Sequence, residues 1–483
     1  MKRVIFILLV GLMCPAVAQQ AVLSKGMETK HVKAENLIEG RYLGAYEGLD
    51  CWVFVGKRDR KQVVKTDQNL EPVGEVVLPE SGDGEVLAAV LAGNHAVVVT
   101  LDQSERQQTV VLSYDIDLDS MVVADGAADT LLAFEHGKKD KCMVWGAASP
   151  NGNYIGLVGI VQLPEQQYRT MITLYDSQLQ RLWEKEFALG SMQDIFVTDD
   201  GRIVTLGKED EAEGMQLVYN VLSREKAATY TAGFKGNPIR DLKLVNVLGS
   251  HAVSIATFMP GTKKSDAQNI GGVIGMSFNI DSAKVTGFEL RPFQNEDINI
   301  LFNKDTRKVQ RELEADHLKQ LDMIPTSWGA AAAYGRCWRR DVVANNGEVN
   351  MTYFSMGIHC ISVDTLGRVS WVRNVRRNDS QKSDNDQLQI SLIEHQGKVL
   401  LFKTESPKIP AGYDISKKVK TFDVNSKSNL VFYSLDGEEV QKLVVESKTK
   451  HTMLRTLRRA DGSLMLLTAK GKKMRLAKLS FME

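Results

Sequence analysis

Gly93-Asn94-His95-Ala96-Val97-Val98-Val99 returns in outline as Gly249-Ser250-His251-Ala252-Val253-Ser254-Ile255, 156 residues later. That interval divides into three units of about 52 residues, the period of an array of small sheets. In both copies a glycine-led turn feeds an apolar run, which reads as a hairpin turn entering a buried strand. The same turn-then-strand theme recurs at Asp200-Gly201-Arg202-Ile203-Val204, at Gln396-Gly397-Lys398-Val399-Leu400 and at Asp461-Gly462-Ser463-Leu464-Met465.

A further theme closes strands: Asp67-Gln68-Asn69-Leu70, Asp115-Ile116-Asp117-Leu118 and Asp176-Ser177-Gln178-Leu179 each follow an extended stretch. Together the themes describe one antiparallel meander used repeatedly. Taking its third strand as the marker, copies fall near residues 61 to 66, 109 to 115, 169 to 175, 215 to 221, 273 to 280, 358 to 364, 428 to 434 and 472 to 480. Eight markers give an all-β chain, a β-propeller of eight blades, with seven blades as the nearest alternative and a β-sandwich or two-domain arrangement behind them. The last copy is one strand short. A strand from the N-terminus, for which residues 27 to 38 are the candidate, would complete it and remove a free edge.

The first eighteen residues stand apart. Lys2 and Arg3, the apolar run Val4 to Met13 and Ala16-Val17-Ala18 have the layout of a secretory signal peptide cleaved before Gln19. About ten apolar residues are too few to cross a bilayer, and no later run reaches eighteen, so no transmembrane segment is expected. The bulky Met13 before Cys14 argues against a lipid anchor. The expected location is the periplasm or the medium. The expected organisation is a signal peptide over 1–18 and a single propeller over 19–483, with a helical and aromatic insertion at 305–340. Within it Val309, Leu313, Leu318 and Leu321 read as the apolar stripe of a helix running from Asp305 to Leu321.

Without Lys2 and Arg3 the chain carries 58 basic and 60 acidic side chains. That balance excludes the basic stripe that phosphate backbones demand, so no nucleic-acid partner is expected. The short runs Arg336, Arg339, Arg340 and Arg373, Arg376, Arg377 read as solvated strand edges. Cys51, Cys142, Cys337 and Cys360 have no metal-ligand spacing; Cys337 with Cys360 is the one local candidate for a disulfide, and Cys51 and Cys142 read as small apolar core residues.

The chemistry-bearing inventory is thin. Neither a nucleophile elbow nor a phosphate loop nor a dinucleotide fingerprint is present, so no cofactor is expected. His95 and His251 hold equivalent repeat positions and read as structural. Asp115, Asp117 and Asp119 alternate in a spacing that could concentrate oxygen ligands for calcium, yet lack the glycine and terminal Glu of a calcium loop; Asp379, Asp384 and Asp386 form a second acidic loop of the same kind. No metal site is expected from either. An acid pair for glycoside hydrolysis is a spatial matter that spacing does not reveal.

The hairpin glycines Gly201, Gly397 and Gly462 and the strand exchange resemble the β-propeller class as a whole, without the Gly-His and Trp-Asp marks of its commonest repeat. The exported, loosely repeated chain resembles the uncharacterised propellers secreted by gut-dwelling Gram-negative bacteria. That resemblance implies no functional residue. The residues left over by the repeat are Trp328, Tyr334, Arg336, Trp338, Arg339 and Arg340, an aromatic and guanidinium cluster suited to a protein or acidic-glycan partner. The expected function is therefore a non-enzymatic binding or scaffolding propeller, with a propeller glycoside hydrolase or lyase and a purely structural module as alternatives.

Overall fold

Short strands that alternate in which neighbour they pack against can bury both sheet faces only by standing between two other sheets. The computed structural model of the chain shows this arrangement repeated eight times. It describes residues 20–482 apart from 25–26, 29–36, 57–60, 80–84, 104–106, 138–140, 163–167, 188–191, 212–213, 235–238, 260–269, 283, 306–314, 344–348, 383–389, 410–416, 424–425, 437–439, 451, 460 and 471–472. The stretch 1–18 expected to be a signal peptide and the acids Asp384 and Asp386 lie outside these described residues.

The blades are successive antiparallel meanders whose first strands are Leu37–Tyr46, Val86–Ala92, Lys141–Ala148, Asp194–Val197, Ile239–Leu248, Leu318–Thr326, Ile390–His395 and Thr452–Arg458. Each first strand touches the first strand of the next blade, and the last touches Leu37–Tyr46 of blade 1, so the ring closes around these eight inner strands. The protein is an eight-bladed β-propeller. All eight marker stretches are third strands, from Lys61–Thr66 in blade 1 to Lys473–Met482 in blade 8. Fourth strands form the outer wall and carry exposed apolar side chains such as Val73, Leu182, Phe288 and Val444.

Eight apolar clusters fill the eight blade interfaces. In blade 1, Val53 packs towards blade 2 while its neighbour Phe54 packs towards blade 8. In blade 6, Ala330 and Ala332 face blade 5 while Ala331 and Ala333 face blade 7. A period-2 strand buried on both faces reads as an unbroken apolar run, which is why these stretches do not alternate in sequence.

The turn chemistry follows the sequence themes. Gly93, Gly201, Gly249, Gly397 and Gly462 all lie in the left-handed region between first and second strands. Asp67 and Asp176 cap the turn after the third strand, each accepting backbone N–H bonds from residues two and four positions on. In blade 2 the capping residue is Asp117 rather than Asp115, accepting from Asp119 and Ser120 at 2.8 and 3.2 Å. Asp115 instead meets His95 at 2.7 Å and Asp119 accepts the Tyr46 hydroxyl at 2.7 Å, so the three carboxylates serve three separate partners. Among the described residues no group of three His, Cys, Asp or Glu side chains is placed to hold a metal ion.

Three expectations need correction. The strand that completes blade 8 is Gln20–Leu23, in register with Leu479–Met482, followed by Met27–Glu28 opposite Arg475 and Leu476; Leu37–Tyr46 belongs to blade 1. The helix among the described residues is Asn295–Leu301, between blades 5 and 6; of the expected 305–321, residues 306–314 lie outside the described residues and 318–321 are strand. Leu318–Thr326 is the first strand of blade 6. A bulge between Gln320 and Asp322 adds one residue there, and Leu318 and Leu321 face opposite sides of the strand, the first towards blade 5 and the second towards blade 7. The true helix has seven residues, too few to show a period, and is marked instead by a capping box between Gln294 and Asp297. Cys337 and Cys360 form no disulfide: both are buried thiols, and Cys337 lies against the Ser355 hydroxyl at 3.3 Å.

Candidate functional site

Blade 6 is the irregular member of the ring. Its second, third and fourth strands, Gly329–Val343, Val349–Asp364 and Val369–Lys382, have 15, 16 and 14 residues, against 9 in Tyr154–Gln162 and Tyr168–Asp176 of blade 3. About six extra residues at ~3.3 Å each carry this three-stranded flap roughly 20 Å beyond the face bearing the second-to-third-strand connections. Bulges at Tyr334/Arg336 and Met356/Ile358 mark where the flap leaves the blade. Gly357, at φ 56°, is seated on the helix there; a Cβ would meet Leu301 Cα at 2.5 Å and Ile300 O at 2.6 Å, so only glycine permits this approach.

The helix is held to the flap by a buried polar node. Asn374 Nδ2 donates to Asp297 Oδ1 at 2.7 Å, the Gln294 N–H donates to Oδ2 at 2.7 Å, and His359 lies 3.5 Å from Oδ1. Burial works against the charged carboxyl, but His359, the Gln294 N–H and Asn374 outweigh it and hold the pKa down to about 2. His359 is fully buried against Phe293, so this Asp–His pair is a structural clamp without access to substrate. A folded pKa below the unfolded value near 3.8 gives stability that is complete above pH ~4 and lost as pH falls towards 2, worth about 2 kcal/mol. Asp297→Asn is expected to lower the thermal midpoint at pH 7 and to flatten the acid slope between pH 4 and 2; an unchanged slope would exclude this role.

Of the sequence-derived candidates, the flap gathers four. Arg336 lies between the Phe302 and Trp338 rings, 4.4 and 4.6 Å from their centroids, and forks onto Asp316 at 2.6 and 3.2 Å. Trp338 stacks on Phe354 across the hairpin, centroids 5.2 Å apart and planes at 11°. Arg339 is exposed and reaches Asp341 at 2.8 Å; Arg340 is exposed. The other two lie in the blade proper: Tyr334 is fully buried, and half-buried Trp328 donates from Nε1 to Ser362 Oγ at 2.9 Å. Sequence reasoning missed Phe302, Asp316 and Phe354. All three come from outside the 329–343 strand, and nothing local announces them as partners.

Arg376 and Arg377 are not solvated edge residues, being 4% and 2% exposed on the flap's fourth strand. Arg377 pairs with Asp379 at 2.6 Å, and Arg376 donates to the Asn299 carbonyl at 2.9 Å. From blade 7, Lys403 and Lys442 meet Glu405, which also accepts the Tyr433 hydroxyl at 2.6 Å. These long polar strands are covered on both sides, and each charge has found a counter-charge or a carbonyl.

On the opposite face, a cavity of about 520 Å³ opens at the seam where blade 8 meets blade 1. It is lined by Tyr42, Asp50, Gln68 and Asn69 of blade 1 and by Arg459, Asp461 and Lys478 of blade 8. Asp50 is buried, accepts the Tyr42 hydroxyl at 3.2 Å and pairs with Arg459. Asp461 Oδ1 takes the Ser463 hydroxyl and N–H at 2.6 and 2.8 Å, which holds its carboxyl below the usual range.

Neither a protein-family model nor a curated protein matches the chain. Solved structures similar to it include a quinohemoprotein alcohol dehydrogenase from Pseudomonas putida, at 8% identity over 96% of this chain and 77% of that one, with a TM-score of 0.47. An oligogalacturonate lyase from Vibrio parahaemolyticus is similar at 9% identity, over 96% and 97%, with a TM-score of 0.41. A protein of unknown function from Bacteroides caccae has 12% identity, over 67% and 93%, with a TM-score of 0.29. None of these likenesses carries an activity to this chain.

Proposed function

We propose that this is an exported, non-catalytic binding propeller whose recognition element is the blade 6 flap, and that its partner is a protein presenting an acidic segment. The observation that carries the reading is the flap itself, an extension on which Arg336 and the stacked Trp338 and Phe354 rings are held by contacts within the chain. Preorganised aromatics give contact area at small entropic cost, and Arg339 and Arg340 beside them match carboxylates. Export rests on the leader sequence; no helix among the described residues is long and apolar enough to cross a membrane.

Immobilised poly-glutamate is the probe. Trp338→Ala and Arg339→Ala are each expected to weaken capture about tenfold, the effect of losing one central contact. Near-UV circular dichroism should stay at parent level for Arg339→Ala, which is exposed. Parent-like capture by both variants would overturn the reading.

The enzymatic alternative has one observation in its favour, the two carboxylates Asp50 and Asp461 in the seam cavity. A glycosidase also needs a carboxylic acid kept protonated at neutral pH. Asp461 is held in the opposite direction, and Asp50 is engaged by Arg459 and Tyr42. Release of reducing ends from a polyuronide by the parent protein would sink the non-catalytic reading.

A further inference from the structure

We infer that the seam cavity is a second binding site, independent of the flap, and that it takes a hydroxyl-rich carboxylate of monosaccharide size, a hexuronic acid. The volume lies within the roughly 300–1,000 Å³ of small-molecule pockets. What selects the ligand is the set of polar groups whose hydrogen-bonding capacity remains open.

Lys478 is half-buried on the third strand of blade 8, with no hydrogen-bonded acceptor for its ammonium group among the described residues, and the Arg459 Nε–H is buried without one. Among the described residues neither group has a hydrogen-bonded acceptor in the cavity, although Lys478 lies near enough to Asp461 to favour its charged form. Asp50 is already joined to the Arg459 Nη2 end, and Asp461 stands 3.9 Å from Nη1 with its Oδ1 occupied by Ser463. An incoming carboxylate satisfies the ammonium, and a carboxylate near an unpaired cation is held by a charge-assisted bond.

The rest of the lining asks for hydroxyl groups. The Gln68 and Asn69 carboxamides sit on the exposed turn after Lys61–Thr66, with no side-chain partner, and offer donors and acceptors together. Asp461 Oδ2 offers an acceptor. A simple anion would leave these groups idle, and a neutral sugar would leave the Lys478 ammonium without a hydrogen-bonded carboxylate; a uronic acid answers both. The position adds a consequence. Because the lining is divided between the first and last blades, the bound sugar bridges the point where the ring closes and should raise the thermal midpoint.

The test is calorimetric titration of the full chain with galacturonate, galactose and acetate, together with a thermal scan at saturating galacturonate. Galacturonate should bind about tenfold or more tightly than galactose, the worth of one charge-assisted bond. Acetate should be weaker still. Lys478→Met should remove that preference while leaving the weak galactose binding in place. Gln68→Ala, in an exposed turn that the fold does not depend on, should weaken both sugars alike. Arg340→Ala, on the flap, should change nothing here. Equal affinity for the two sugars, a preference that survives Lys478→Met, or no heat with any probe at tens of millimolar would each overturn the inference, and none of these outcomes bears on the flap.

Discussion

A chain lacking residues 20–28 is expected to lose on the order of 5 kcal/mol of stability and to aggregate. Gln20–Leu23 supplies the fourth strand of blade 8, and Ser24 continues the exchange, donating its N–H to the Lys478 carbonyl at 2.9 Å and accepting the Lys478 N–H on its hydroxyl at 2.9 Å. Met27 is 4% exposed within the apolar cluster between blades 8 and 1, and Glu28 pairs with Lys473 at 2.7 Å. Losing a ladder of backbone bonds at ~1 kcal/mol each, and a buried Met at ~2 kcal/mol or more, accounts for that figure. Deletion also bares Lys473–Met482 as an edge strand rich in apolar residues. Thermal scans and size-exclusion chromatography read the two effects separately. Met27→Ala alone should cost about 2 to 3 kcal/mol without aggregation. A truncated chain that elutes as the parent does, with the parent midpoint, would show that the ring does not depend on the exchange.

Glu405→Ala should be the most damaging single substitution between blades 6 and 7, at about 3 to 5 kcal/mol. It strands the Lys403 and Lys442 ammonium groups, both almost fully buried, and takes the acceptor from Tyr433. Burial already pushes the Lys403 pKa down, with Glu405 opposing that shift. With the carboxylate gone the value falls further. The unfolded chain then binds a proton that the folded chain has released, so the variant's stability should rise with pH from the depressed folded pKa up to about 10.4, the unfolded value. Denaturant unfolding at pH 6 and pH 9 measures this. A loss under 1 kcal/mol at both values would mean that the two lysines are neutral or otherwise matched. Glu405→Gln, which keeps an acceptor for Tyr433, should fall between the parent and Ala.

Much of the architecture was legible because propeller blades are local objects. A hairpin glycine, a capping Asp and a run such as Val97-Val98-Val99 are decided within ten residues, and the eight third strands lie where those marks place them. The near-neutral charge and the lack of common catalytic motifs are likewise properties of the chain read in order. The position of the helix was not legible, since seven residues show no period, while the apolar spacing that suggested one includes Leu318 and Leu321, which face opposite sides of a strand.

The sites depend on distances that run against sequence order. Arg336 reads as a surface charge until Phe302 and Asp316 are brought to it from before the blade, and Arg377 reads as solvated until blade 7 covers it. The seam cavity unites Tyr42 and Asp50 with Arg459 and Lys478, over four hundred residues away, only because the ring closes. Periodicity and turn chemistry act over a few residues, so the sequence alone determined the class of fold and the number of blades. Charge pairing, burial and cavity formation act across space, so only the tertiary structure decided which polar side chains are spent on the fold and which remain open to a ligand.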